Sequence, residues 1–303
     1  MNTCVLHIRR YDSVRSYWQE FTVDPTGKTV LDALKEIRDT QDQTLAYRAQ
    51  CRSGICGSCA MRINGQARLA CKTFVTDVLV QGKLTLEPLT GFGIIRDLVI
   101  EESLFWETIA QIKPWIEAAP AVGSVPEWLA DESADSYGVE NCILCAACQS
   151  DCEVHEVKQG GYAGPAGFVQ AYRYVRDPRD HTTRERLQLL ESQGIWSCTH
   201  IQQCSDVCPK GIRIGRVITA LRSLLLRSGM GKNPGGRHVE AFTSGVRKHG
   251  KLDEFWTMIR TRGMRILSDL PVGWRMTRRG KVVKPVQRKS ENSNELKHFF
   301  RDN

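Results

Sequence analysis

The chain has 303 residues, of which 41% are hydrophobic and 25% charged, a balance that excludes a disordered or low-complexity protein and leaves room for two domains. Its formal net charge of +8 favours an acidic partner or an anionic surface without requiring nucleic acid. No run approaches the roughly 18 apolar residues of a membrane span, and the first ten residues lack an apolar stretch behind a basic lead, so neither a span nor a secretory signal is expected.

In chain order, residues 3–10 and 18–23 alternate as strands do (Val5, Leu6, Ile8; then Trp18, Phe21, Val23) about a polar turn at Asp12-Ser13. Asp24-Pro25-Thr26-Gly27 ends the second strand. Thr29, with Asp32 three residues on, predicts a capped helix carrying Val30, Leu34 and Ile37. Asn64-Gly65 between Ala60–Ile63 and Gln66–Ala70 predicts a hairpin, and Lys83–Glu87 reads as a further strand. The first hundred residues thus read as a small mixed sheet with a helix across it. Beyond them, Leu104, Ile109, Ile112 and Ile116 recur at helical intervals, and Pro120 to Pro126 punctuates the chain. Helices are expected over Phe168–Val175, Arg184–Leu190 and Arg216–Leu226, joined by connections containing Gly or Pro. Between Arg260 and Ser290, ten Lys or Arg face a single acid, Asp269, which marks a separate basic region.

The clustering of the 12 cysteines carries the chemistry. Without a secretory signal, closely spaced thiols read as metal ligands before disulfides. Cys51, Cys56, Cys59 and Cys71 form the C-x4-C-x2-C…C pattern of plant-type [2Fe–2S] ligation, and Gly54 and Gly57 let the loop turn its backbone toward the inorganic sulfur. Zinc is the alternative, but its ligands usually come as two short pairs.

Cys142, Cys145, Cys148 and Cys152 form the bacterial ferredoxin run, with Glu153 where proline commonly follows. The other half is Cys198, Cys204 and Cys208-Pro209. In two-cluster proteins the fourth cysteine of each run serves the other cluster, which assigns Cys142, Cys145, Cys148 and Cys208 to a [4Fe–4S] cluster. Cys152, Cys198 and Cys204 remain. Ile201 stands where a fourth thiol would complete the set, and an aliphatic side chain cannot bind iron, so a [3Fe–4S] cluster is expected. The alternatives are a [4Fe–4S] cluster with water or a non-cysteine ligand at that corner and, more distantly, zinc or a disulfide framework. Cys4 is left over as a small buried hydrophobe. Gly91-Phe92-Gly93 lacks the third glycine and the strand-to-helix setting of a dinucleotide site, and reads as a loop.

This succession resembles the iron–sulfur subunit of succinate dehydrogenase and fumarate reductase. The likeness covers roughly residues 1 to 230 and is carried by Cys51 to Cys71, Asn141-Cys142-Ile143-Leu144-Cys145, and Cys204 to Gly211 with its Cys208-Pro209-Lys210-Gly211. It implies an α+β chain: a β-grasp plant-type [2Fe–2S] ferredoxin domain over residues 1–100, an all-α bacterial-ferredoxin-like two-cluster domain over 101–232, and a basic C-terminal extension over 233–303. It also implies a subunit of a quinone-linked oxidoreductase, relaying electrons between FAD in a flavoprotein subunit and quinone at a membrane-anchor subunit. The [2Fe–2S] cluster would lie nearest flavin and the [3Fe–4S] cluster nearest quinone. Succinate or fumarate would react on the partner, so no catalytic residue and no nucleic acid are expected here, and the complex would sit peripherally on the cytoplasmic face of the inner membrane.

The chain departs from the family pattern in places. Glu153-Val154-His155-Glu156-Val157 replaces the proline and tryptophan that contribute to the quinone site, and Thr199 follows Cys198 where histidine is common, with His200 displaced by one. His155 and His200 are candidates for proton or quinone chemistry or for a structural role. The basic tail with Trp274 suits anionic headgroups, an acidic partner or plain solvent. These departures admit a cysteine-rich soluble or monotopic partner in place of a haem-bearing anchor. The competing functions are an electron-transfer subunit of a related fumarate reductase or other flavoenzyme with a thiol or non-quinone donor, and a non-enzymatic ferredoxin or iron–sulfur nucleic-acid protein.

Overall fold

A computed structural model of the chain describes residues 3–117, 137–158, 160–177, 179–281 and 289–290. The stretch from Pro120 to Pro126 lies outside them, as do most basic residues after Lys281. The chain divides into two compact units, Met1–Leu221 and Arg222–Asn303.

Strand β1 (Cys4–Tyr11) turns its alternate residues Cys4, Leu6, Ile8 and Arg10 inward and pairs antiparallel with β2 (Ser16–Val23). Helix α1 (Val30–Thr40) starts at a capping box in which Thr29 and Asp32 satisfy each other's backbone N–H groups, and it buries Val30, Leu31, Leu34 and Ile37. Asn64 and Gly65 both take positive φ, 49° and 76°, the geometry of the tight hairpin joining β3 (Ala60–Ile63) to β4 (Gln66–Leu69). After the single turn α2 (Val75–Val78), strand β5 (Lys83–Glu87) slots between β1, to which it runs parallel, and β3, to which it runs antiparallel. The sheet order is β2-β1-β5-β3-β4. Its inner face and α1 enclose Leu6, Ile8, Leu34, Ile37, Leu84 and Leu86, each stabilising by about 2 kcal/mol on burial. A small hairpin follows, β6 (Ile94–Arg96) with β7 (Val99–Ile100).

Arg10 continues the inward alternation of β1, so its guanidinium enters the core with 2% of its surface exposed. Burial disfavours that charge, and four donated bonds offset the cost: to Asp97 (2.9 Å), Asp42 (2.7 Å), Gln19 (2.5 Å) and Thr44 (3.0 Å). Asp97 also accepts from the Tyr11 and Ala46 backbone N–H groups. The cluster ties the loop after α1 to the β6–β7 turn.

The rest of the first unit is helical: α3 (Ser103–Gln111), α4 (Ala147–Ser150), α5 (Glu153–Val157), α6 (Gly164–Val175), α7 (Thr183–Ser192), α8 (Gln203–Asp206) and α9 (Ile214–Arg227), the last crossing the boundary between units. Helix α6 is the centre, buried over most of its length, with α3, α4 and α7 packed on it. Arg186 of α7 reaches across to Asp180 (2.6 Å) and to the carbonyls of Lys113 and Trp115, both 2.6 Å away, fixing the segment after α3. Sheet and helices meet through Arg62, which donates to Asp151 (2.5 Å), and through Thr90, whose N–H donates to Ser150 Oγ (3.0 Å).

The second unit holds α10 (Pro234–His249), α11 (Glu254–Arg262) and α12 (Ile266–Arg278). Asn233 caps α10 with Pro234 at its first position, Gly250 (φ 73°) ends it, and Asp253 accepts the Trp256 N–H at the start of α11. Among the described residues, then, the basic end of the chain is helical, a regularity that its excess of charge does not itself signal. No helix of the described residues is long and apolar enough to cross a membrane.

Candidate cluster-binding sites

The loop from Cys51 to Cys59 winds back on itself because Arg52, Gly54 and Gly57 all take positive φ (56°, 72° and 75°). That folding aims backbone at sulfur: the N–H groups of Ser53 (3.4 Å), Ile55 (3.4 Å) and Cys56 (3.2 Å) donate to Cys51 Sγ. Those bonds hold the Cys51 thiol low, at about 6. Cys51 N–H faces Cys56 Sγ (3.5 Å), and Ser58 Oγ lies 3.1 Å from the same sulfur. Cys59 and Cys71 are both buried and their thiols share a hydrogen bond, with burial pushing Cys59 up to about 12. The four thiols therefore stand as two pairs, Cys51 with Cys56 and Cys59 with Cys71. Two irons need two thiolates each, so this donor set fits a [2Fe–2S] group.

Two cavities of similar size lie in the helical region. One, of about 360 Å³, is lined by Cys142, Cys145, Cys148 and Cys208 among Ile143, Ala166, Val169 and Ile214. Burial raises the Cys142 thiol, pushes Cys145 up to about 11 and lifts Cys148 well above the ordinary range. The second, of about 340 Å³, is lined by Cys152, Cys198 and Cys204 with Tyr162, His200 and Ile201. Burial pushes Cys204 up to about 12. Such thiols lose their protons only to a positive metal centre, which suits ligands and not free reactive cysteines. Among the described residues no three His, Cys, Asp or Glu converge on a single-ion position. The cysteines line the two volumes together, an arrangement that suits a cluster whose irons occupy separate corners. Tyr162 also borders a cavity of about 1210 Å³ lined by Phe92, Phe105, Gln149 and His155. No cysteine lines that space, so thiol content and not size marks the candidate cluster sites.

The two cysteine runs repeat one backbone course at one sequence offset. Gly138 (φ 78°) and Gly194 (φ 74°) each open a 3-10 turn leading to Cys142 and Cys198. Leu144 and Ala146 take positive φ (52° and 60°), as do His200 and Gln202 (59° and 69°). Helices α4 and α8 then begin next to Cys148 and Cys204. Ile201 thus holds the backbone position that Cys145 holds in the other half. The third thiol set is one short of the second because a repeated loop carries Ile where its counterpart carries Cys.

The three sites adjoin. A Cβ on Gly57 would lie 2.7 Å from Cys145 Cβ, so the first loop rests on the second site, and Cys204 of the third site is close enough to Cys148 to raise its thiol. The sequence marks Gly57 as a turn residue of the loop but carries no signal for its contact with Cys145. Nor does it mark Tyr162, whose hydroxyl lies 3.5 Å from Cys152 Sγ. His200 gives its backbone N–H to Cys198 Sγ (3.4 Å). His155 is packed against Phe92 and beneath Gly91, where a Cβ would come within 2.9 Å of its ring, and burial lowers its pKa. The Gly91-Phe92-Gly93 loop is thereby a packing surface for His155.

A family model described as a 2Fe-2S iron-sulfur cluster binding domain matches residues 5–107, and one described as a 4Fe-4S dicluster domain matches residues 138–212. The chain is 37% identical over 239 residues to the mitochondrial succinate dehydrogenase [ubiquinone] iron-sulfur subunit of Dictyostelium discoideum, covering 74% of this chain and 82% of that one. It belongs to the succinate dehydrogenase and fumarate reductase iron–sulfur subunits. Within that family it is also 32% identical over 291 residues to the 8-methylmenaquinol:fumarate reductase iron-sulfur subunit of Wolinella succinogenes, covering 91% of this chain and 89% of that one. Its fold matches a chain of the Mycobacterium smegmatis Sdh1 complex in the apo form, with a TM-score of 0.68 and 26% identity over 75% of this chain and 96% of that one. As an iron–sulfur subunit it is an α+β electron-transfer component of an oxidoreductase, with a [2Fe–2S] ferredoxin domain followed by a helical dicluster domain.

Proposed function

We propose that this subunit carries electrons in single steps between FAD on a flavoprotein partner and quinone at a membrane-anchor partner, through three clusters. Cys51, Cys56, Cys59 and Cys71 hold [2Fe–2S]; Cys142, Cys145, Cys148 and Cys208 hold [4Fe–4S]; Cys152, Cys198 and Cys204 hold [3Fe–4S]. When bound, the clusters take up and release one electron at a time. The protein holds them by thiolate, sets donated N–H bonds against the charge of the first and third, and surrounds the second with Ile143, Ala166, Val169 and Ile214. The observation that carries the reading is the grouping of eleven thiols around three adjoining sites, linked by the approach of Gly57 to Cys145 and of Cys148 to Cys204. In this reading residues 1–100 form the first-cluster domain, 101–232 the two-cluster domain and 233–303 the basic extension. The complex sits peripherally on the cytoplasmic face of the inner membrane.

A second reading, a fumarate reductase with a donor other than ubiquinol, draws support from the alignment to the Wolinella subunit, which runs 291 residues where the Dictyostelium alignment runs 239. Electron paramagnetic resonance on the native complex, titrated with succinate and separately with reduced quinones, tests both. Three cluster signals reduced by succinate are expected. A preparation that holds three clusters, none of which responds to succinate, would leave the carrier and remove its assigned donor.

A further inference from the structure

Helix α12 buries no residue among those described, although it is 13 residues long and contains Pro271 and Gly273. A helix of that length is marginal in water on propensity alone, so its stability calls for an apolar surface to rest on. Its sequence supplies the matching face. Leu267, Leu270 and Trp274 fall on one stripe at helical spacing and are 60%, 62% and 60% exposed, and Met264, just before the helix, is 83% exposed.

The charge around that stripe has one sign. Arg260, Arg262 and Arg265 precede it, Arg275 and Arg279 stand away from the stripe with Val272 and Met276, Arg278 closes the stripe one turn beyond Trp274, and Lys281 follows the helix. The one acid, Asp269, is neutralised by Arg262 through bonds of 2.7 and 2.6 Å. Arg278 lies over the Trp274 ring at 3.8 Å, which sets a cation at the margin of the apolar stripe. A planar hydrocarbon layer beneath a layer of negative charge meets both demands along the whole helix without needing a shaped groove.

We propose that α12 is a membrane-surface helix of this subunit, laying Leu267, Leu270 and Trp274 into the acyl boundary of an anionic bilayer while its arginines meet the headgroups. The contact would be made by this chain itself, in addition to any anchor partner, and does not depend on the cluster assignment.

The test is flotation of the full-length, cluster-loaded chain, without partners, on vesicles of phosphatidylcholine alone or mixed equally with phosphatidylglycerol. Binding to the mixed vesicles is expected, weakening as salt rises. Leu270→Glu with Trp274→Glu should weaken it by more than about tenfold, and Arg275→Gln with Arg278→Gln and Arg279→Gln should flatten the salt dependence. Because α12 has no buried residue among those described, visible absorption of the clusters and circular dichroism should stay unchanged in both variants. Absence of flotation, equal binding to neutral vesicles, or an undiminished Leu270/Trp274 variant would overturn the proposal. So would failure of the wild type to float while that variant loses a partner subunit from the native complex, since the face would then belong to a protein.

Discussion

Replacing Ile201 with Cys probes the ligand count where the two halves of the dicluster region differ. Ile201 lines the third cavity with Cys152, Cys198 and Cys204, and its flanking residues His200 and Gln202 share the positive φ of Leu144 and Ala146 beside Cys145. A thiol there should face the cluster volume as Cys145 faces its own. Ile201 is 47% exposed, so the substitution removes only part of a buried side chain and should cost about 1 kcal/mol, leaving the fold intact. Iron should rise from roughly nine to roughly ten atoms per chain, and the oxidised three-iron paramagnetic signal should vanish in favour of a reduced four-iron one. Metal and sulfide analysis with paramagnetic resonance before and after dithionite reads both. The mirror change, Cys145→Ile, should take the opposite course at the second site. A folded Ile201→Cys protein with the first-site signal intact and the three-iron signal undiminished would refute the equivalence of the two loops.

Other substitutions address the frame around the sites. Asp180→Asn should strand the buried Arg186 guanidinium and cost about 3 kcal/mol by denaturant midpoint near neutral pH. Burial alone would raise the Asp180 carboxyl, but bonds from Arg186, the Glu117 N–H and Thr182 hold it well below the usual range. Its stabilisation is therefore present above about pH 4 and lost as pH falls toward the folded value, so the gap between wild type and variant should close on acidification; a gap constant with pH would contradict this. Gly57→Ala, placing a Cβ 2.7 Å from that of Cys145 at φ 75°, should destabilise by on the order of 2 kcal/mol and slow reduction of the second site through the first in stopped-flow, and unchanged values for both would mean the two do not touch. Tyr162→Phe should remove a bond donated to the Cys152 thiolate, which favours the more negative reduced state, and so lower the third site's potential by about 1 kcal/mol, roughly 40 mV for one electron. A redox titration with no shift would show that the hydroxyl does not reach the ligand.

Much of the fold was open to pattern reading because its signals are local. The Thr29-x-x-Asp32 cap, the Asn64-Gly65 turn and the alternation of β1 each act over a few residues, and each appears in the structure where expected. The parallel pairing of β1 with β5 was not legible, since it joins segments over seventy residues apart through backbone groups that every residue carries. Arg10 was misleading in the same way: a charged residue in strand alternation gives no sign of being inside until Asp42, Thr44 and Asp97 arrive from other loops. At the basic end of the chain the caps at Asn233, Gly250 and Asp253 are local signals of the same kind, set within a much stronger pattern of charge.

For the candidate sites, spacing alone points to the chemistry, because thiolate number and separation along a short loop limit which inorganic group can be held. Ile201 in a run otherwise spaced for cysteine could be read without coordinates for the same reason. Only the tertiary structure decided the company these residues keep. Cys208 joins Cys142, Cys145 and Cys148 around one cavity, Tyr162 reaches Cys152, and Gly57 brings the first loop against Cys145. Ligation is a property of a few neighbouring residues, whereas the order in which sites touch depends on how sheet and helices pack, and packing is summed over contacts far apart in the chain.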